Sequence, residues 1–172
     1  MIYYNRRSVL TMLPKPIWLE NGKVFLIDQT KLPGELCQLE IATAEQMWDA
    51  IKRLVVRGAP AIGLAAAFGV WLGAARRLEA GTLTVDNFTA AVEEIGAYLD
   101  TARPTAVNLH WAVTRMQDVA VAFTGYSPMV YSDVLVISTA MKLFFMGLFP
   151  SVMYSSPPLP VLLRVMLPRI RQ

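Results

Sequence analysis

Two stretches of this chain set an arginine against the start of a helix, where an anion would sit. In Val56-Arg57-Gly58-Ala59-Pro60-Ala61-Ile62-Gly63 the arginine precedes a glycine bend and a proline-started apolar run. In Thr101-Ala102-Arg103-Pro104-Thr105-Ala106-Val107-Asn108-Leu109 an arginine again directly precedes a proline-started helix. A helix start offers N–H groups without helical partners and the positive end of the helix dipole. Gly58 lets a ligand approach the backbone, and a guanidinium can grip two phosphate oxygens at once. If the two helix starts lie side by side, Arg57 and Arg103 converge on one phosphate, with the backbone at Gly58 and Ala59 beneath it. The same pattern also serves as plain punctuation between helices, with arginines solvated at their ends. The residues alone leave both readings open.

Other chemistry is sparsely represented. Cys37 is the single cysteine and His110 the single histidine, which excludes an intrachain disulfide, a cysteine metal cage and a histidine cluster. Both read as ordinary packing or surface residues, and no metal-binding spacing appears. The net charge is +3. After residue 123 the basic residues are Lys142, Arg164, Arg169 and Arg171 and the acid is Asp133, so the whole surplus falls there and the body of the chain is neutral. A neutral body without a basic stripe gives no support for nucleic-acid binding. Met1 to Leu13 holds Arg6 and Arg7 but no sustained apolar core, a poor signal peptide. A reducing, cytoplasmic setting is the expectation. Met12 is an alternative start, with residues 1–12 an upstream extension.

Three kinds of element must position the arginines. Ile17–Glu20 and Lys23–Ile27 flank Asn21-Gly22, the dipeptide suited to a tight hairpin, and Leu36–Ile41 alternates as a third strand. Residues 13–42 therefore read as a small antiparallel sheet. Thr43-Ala44-Glu45-Gln46 is a capping box opening a helix that Arg57-Gly58 should end. A second helix, Pro60 to about Leu78, is rich in Gly and Ala, which suits a central buried helix better than a membrane span. A third is expected over Asp86–Asp100 and a fourth from Pro104 to about Phe123, completing a bundle over 43–123. Residues 124–172 form an atypical hydrophobic tail, broken by Pro128, Pro150, Pro157, Pro158, Pro160 and Pro168. The apolar run Val134–Tyr154 raises a membrane anchor as an alternative, opposed by Lys142, Pro150 and its modest length.

The run Arg57-Gly58-Ala59-Pro60-Ala61-Ile62-Gly63, with Ala65-Ala66-Ala67 and Gly69, resembles the signature of methylthioribose-1-phosphate isomerases. Their relatives are ribose-1,5-bisphosphate isomerases and the regulatory subunits of the translation-initiation guanine-exchange factor. Leu26-Ile27-Asp28-Gln29 with Leu32-Pro33, and Arg103-Pro104-Thr105-Ala106-Val107-Asn108-Leu109 with Trp111-Ala112 and Arg115-Met116, resemble two further blocks of that family. The resemblance implies an α+β fold in which a small sheet and helical bundle precede a Rossmann-like domain, here missing. It implies an aldose–ketose isomerase of methionine salvage, converting 5-methylthioribose 1-phosphate to 5-methylthioribulose 1-phosphate without metal or organic cofactor.

It further implies that Arg57, Gly58, Ala59 and Arg103 contact the phosphosugar and that the whole enzyme is a homodimer. The family's catalytic cysteine and aspartate belong to the missing domain: Cys37 lies outside its motifs, and Asp133 lies in the tail. The expectation is a chain with binding residues but no catalytic ones, inactive alone, with the dimerising half absent. The alternative is a non-catalytic regulatory or interaction subunit of the exchange-factor type, or a ribose-1,5-bisphosphate isomerase relative. The isomerase branch is favoured by the two arginine blocks.

Overall fold

The computed structural model describes residues 15–126. The upstream extension, nearly all of the expected tail, Asp133 and the anchor alternative lie outside these residues. Three strands, β1 (Ile17–Glu20), β2 (Lys23–Ile27) and β3 (Gln38–Ile41), precede four helices. These are α1 (Ala44–Lys52), α2 (Ala59–Glu79), α3 (Val85–Asp100) and α4 (Val107–Tyr126).

The strands form an antiparallel sheet in the order β1-β2-β3. Its hairpin turns at Asn21 and Gly22, both at positive φ (50° and 79°), the geometry Asn-Gly adopts at little steric cost. The register pairs Trp18 with Phe25, and their rings stack on the open face at 5.6 Å. Ile17, Val24, Leu26 and Ile41 point the other way into the core. The third strand starts at Gln38 rather than Leu36. Leu36 is exposed, and the Cys37 carbonyl accepts from the Asp28 N–H at 2.9 Å, closing the sheet end as a loop contact.

At the start of α1, Thr43 accepts from the Gln46 N–H at 3.2 Å. The Gln46 side chain accepts from the Ala42 N–H at 2.7 Å, reaching one residue further back than a capping box requires. The helix ends at Lys52, well before the expected Arg57-Gly58. Val55 N–H returns to the Ala50 carbonyl (2.9 Å) and Leu54 N–H to Ile51 (3.2 Å), with Leu54 at φ 63°. This paired closure is the one that usually takes glycine at its left-handed position. Here leucine fills it, so the sequence carries no stop signal there.

Helix α2 lies at the centre, with Ala61 to Leu72 continuously buried. It is the one helix among the described residues long and apolar enough to cross a membrane, and it is mostly buried inside the fold. Helix α1, helix α3 and helix α4 all pack on it, and the sheet meets it along β1. Helix α3 begins with a capping box between Thr84 and Asn87. The start of α4 differs from expectation: Pro104 does not open the helix. Ala106 N–H donates to the Arg103 carbonyl at 2.9 Å, placing Pro104 second in a four-residue turn, a position that its fixed φ suits. The helix then begins at Val107.

Close approach is sharpest between α3 and α4. A Cβ built on Gly96 would stand 2.6 Å from Val113 Cγ1, far inside ordinary carbon contact, and Val113 is stiff at χ1. Replacing a mid-helix glycine by alanine normally adds about 1 kcal/mol of helix stability. Overpacking costs about 1–3 kcal/mol, so the clash wins. Gly96→Ala is expected to lower the urea unfolding midpoint, and to cost less when Val113 is alanine. A raised midpoint in the single variant would refute this packing account.

Candidate phosphate site

The residue that organises the Arg57 loop is Gln29, through its backbone. Its N–H donates to the Val55 carbonyl at 2.9 Å, and its own carbonyl accepts from the Arg57 guanidinium. Val55 and Val56 are buried, so the chain is anchored immediately before Arg57 emerges into solvent. Gln29 is held by the turn around it. Asp28 Oδ1 accepts from both the Thr30 N–H (3.0 Å) and the Thr30 hydroxyl (2.6 Å). Asp28 is the one buried charged residue among the described residues, 6% exposed.

Gly58 caps α2 at φ 95° and ψ 137°, a conformation that side-chain-bearing residues rarely adopt. No atom lies within 4 Å of the position its Cβ would take, so the backbone there is open to an approaching group. The first helical bond runs from Ile62 N–H to the Gly58 carbonyl at 2.9 Å. Ala59 and Ala61 N–H groups therefore have no partner within the helix, and Pro60 has no N–H to leave unpaired. Arg57, Gly58, Ala59 and Pro60 are all exposed.

At α4, Leu109 and His110 N–H groups both close on the Ala106 carbonyl (2.9 and 3.2 Å). Those of Val107 and Asn108 are left without helical partners, as at any helix start. Helix α4 meets α2 at these residues: a Cβ on Gly63 would stand 3.0 Å from the Asn108 carbonyl oxygen. The two helices thus touch through their backbones within two turns of Gly58. The two helix starts lie side by side.

The described arginines fall into two groups: three pair with carboxylates, while Arg76, like Arg57, meets only a backbone carbonyl (Ala42, 3.4 Å). Arg53 pairs with Asp49, Arg77 with Glu94 and Arg115 with Asp118. Arg57 has only a neutral carbonyl as partner, and half-buried Arg103 has no side-chain hydrogen bond or ion pair among the described residues. Arg57 lies two positions before the start of α2 and Arg103 four before the start of α4, and neither meets a carboxylate among the described residues. That combination favours an anion. By contrast, a surface hollow of about 390 Å³ beside β3 and α1 is lined by Glu40, Glu45 and Asp49 against Arg53, which suits an anion poorly.

His110 and Cys37 take modest places. His110 Nδ1 lies 3.1 Å from Asp100 Oδ2, tying the end of α3 to the start of α4, while Asp100 Oδ1 is buried without a partner. Cys37 is half-buried before β3, with the Lys31 ammonium 3.9 Å from its sulfur. Among the described residues no three His, Cys, Asp or Glu side chains are grouped to hold a metal. The Asp28-Gln29-Thr30 turn is a part of the site that the spacing of the arginines could not suggest. Its signal was an Asp followed two residues later by Thr, directly after an apolar strand, the pattern of a side-chain-closed turn.

The Thr30 hydroxyl donating to Asp28 holds that carboxyl below the usual carboxylate range, overcoming burial, which pushes it up. A lowered folded pKa means the group stabilises the fold above about pH 4, its unfolded value. That contribution is lost as pH falls through the lower folded value. Asp28→Asn is therefore expected to flatten the acid limb of a urea-midpoint profile between about pH 5 and pH 2, the window in which such a group titrates. An unchanged acid limb would show that the carboxylate charge does not matter to this turn.

Known proteins resemble this chain in sequence and fold. The Initiation factor 2 subunit family matches residues 55–144, just over half of the chain, and so runs from Val55 through both helix starts. The 5-deoxyribose 1-phosphate isomerase of Moorella thermoacetica is 50% identical over 107 residues, covering 62% of this chain and 30% of that protein. The methylthioribose-1-phosphate isomerase of Nostoc sp. is 43% identical over 127 residues, covering 74% of this chain and 36% of that one. Among solved structures, 5-methylthioribose 1-phosphate isomerase from Pyrococcus horikoshii superposes with a TM-score of 0.68 at 31% identity, covering 86% of this chain and 38% of that one. The delta subunit of translation initiation factor eIF-2B from A. fulgidus follows at 0.66 and 32%, covering 81% and 37%. The chain thus spans roughly a third of the length of the relatives it matches. With a family match across both helix starts and the fold of its solved members, the chain belongs to the Initiation factor 2 subunit family.

Proposed function

We propose that this chain supplies the phosphate-binding part of an aldose–ketose isomerase acting on a pentose 1-phosphate that lacks a free 5-hydroxyl. The relatives named as isomerases of 5-methylthioribose 1-phosphate and 5-deoxyribose 1-phosphate support that substrate class. The observation that supports the reading is the backbone contact of Gly63 with Asn108, which brings the starts of α2 and α4 near one another. Arg57 and Arg103 grip the phosphate, and the N–H groups at the start of α2, beside Gly58 and Ala59, line its seat. With the methylthio substrate the reaction belongs to methionine salvage, and the setting proposed for it is the cytoplasm.

Such a substrate sets a particular problem. The phosphate ester on C1 prevents the sugar from opening to a free aldehyde, so proton transfer must follow ring opening by another route. That step needs a positioned acid and base. Cys37 and His110 are poor candidates, one half-buried beside Lys31 and the other paired with Asp100. The role of Arg57, Arg103 and the backbone at Gly58 and Ala59 is to hold the phosphate while groups elsewhere act on C1 and C2.

A second reading is a regulatory subunit, favoured by the nearly equal likeness to the eIF-2B delta subunit. Titrating the 172-residue chain with 5-methylthioribose 1-phosphate and 5-deoxyribose 1-phosphate, followed by amide NMR shifts, separates the two. Saturable shifts are expected at Gly58, Ala59, Val107 and Asn108, with no turnover. Arg57→Ala and Arg103→Ala should each weaken binding by about tenfold or more, the usual loss for a charge-assisted phosphate contact. The absence of shifts at both helix starts, with binding unaffected by either variant, would favour the regulatory reading.

A further inference from the structure

We infer that Thr30, with Asp28, is a positioning residue for the phosphate site, acting on Arg57 through the Gln29 backbone. The inference rests on the phosphate-binding reading above and assigns a residue that contacts no ligand itself.

The chain of contacts is short. Arg57 is exposed and touches a single partner, the Gln29 carbonyl, so whatever fixes that carbonyl fixes the resting direction of the guanidinium. Gln29 is fixed on one side by its bond to Val55. On the other side it is fixed by the turn that Asp28 and Thr30 close, in which one carboxylate oxygen takes both the backbone and the hydroxyl of Thr30. The Lys31 N–H also donates to the Asp28 carbonyl, at 3.3 Å. The peptide carrying the Arg57 acceptor is thereby held between two bonded neighbours.

The burial of Asp28 sharpens the point. A buried carboxylate is costly, and a well-packed apolar residue commonly serves stability as well or better. The carboxylate here is placed where its two bonds shape the single backbone unit that Arg57 uses. A neutral carbonyl is also the partner that leaves the Arg57 charge available: it directs the guanidinium without cancelling it. Pre-setting one long, rotamer-rich side chain lowers the entropy lost when an anion binds.

Two measurements on the full chain test this. The first is the order of the Arg57 Nε–H bond by NMR relaxation, which needs no ligand. Thr30→Val is expected to lower the Arg57 order parameter below about 0.6, the flexible range, while Thr30→Ser keeps the wild-type value. The second is affinity for inorganic phosphate. Thr30→Val should weaken it by about fivefold, the loss expected when about one hydrogen bond's worth of preorganisation is removed, and Thr30→Ser should restore it. In an Arg57→Ala background, Thr30→Val should cause no further loss, because the residue it positions is gone.

Should Thr30→Val melt too low to measure, Thr30→Ala, which removes the same hydroxyl bond without placing a methyl group against the Asp28 carboxylate, carries the same expectation. An Arg57 order parameter unmoved by loss of the hydroxyl, or an affinity loss that persists undiminished without Arg57, overturns the inference. Failure of the wild-type chain to bind phosphate would instead strike the proposed function, and the order measurement would still decide the positioning role.

Discussion

The architecture depends on one constraint: α2 must be approached by its neighbours down to its backbone. At Gly63 a Cβ would stand 3.0 Å from the Asn108 carbonyl oxygen, and at Gly73 it would stand 2.9 Å from Ile95. Small residues on the central helix let α3 and α4 close on it, where larger side chains would hold them at ordinary interaxial distances. The consequence reaches beyond packing. Because α4 touches α2 near its own first turn, the unpaired N–H groups of both helices come to one side of the bundle. A site for an anion follows from a packing rule before any charged side chain is considered.

Charge then refines what packing provides. Three of the described arginines, Arg53, Arg77 and Arg115, sit beside a carboxylate on the same or an adjacent helix, an arrangement that neutralises them and adds little stability at an exposed surface. Arg57, Arg76 and Arg103 have no such partner, and of these Arg57 and Arg103 precede helix starts, where the dipole favours negative charge.

How much was legible follows from the range of the interactions involved. Asn21-Gly22, Thr43 with Gln46 and the Gly/Ala character of α2 act within a few residues or along one helix, and the hairpin, the cap and the buried helix followed from them. Pro104 misled because proline suits both the first turn of a helix and the second position of a turn. Only the Ala106 bond to Arg103 distinguishes the two. The end of α1 was invisible because Leu54 occupies a left-handed position with no glycine to announce it. The part of the site contributed by Gln29 was beyond reach for a different reason. A backbone carbonyl has no residue-type signature, and its contact with Arg57 spans 28 positions of sequence.

The placement of titratable groups fits a division of labour between binding and chemistry. A phosphate carries its charge at any physiological pH, so holding it requires fixed dipoles and permanently charged guanidiniums, which backbone geometry and arginine supply without any proton moving. Proton transfer between two carbons requires the opposite: groups whose ionisation is poised and whose reach includes the reacting atoms. Near the two helix starts the ionisable side chains are otherwise committed. Asp28 closes a turn with both of its Thr30 bonds on one oxygen, and Asp100 ties α3 to α4 through His110. Their contribution is to hold backbone in place. In this fold the carboxylates shape the loops, and the turn that Asp28 closes carries the carbonyl that Arg57 meets.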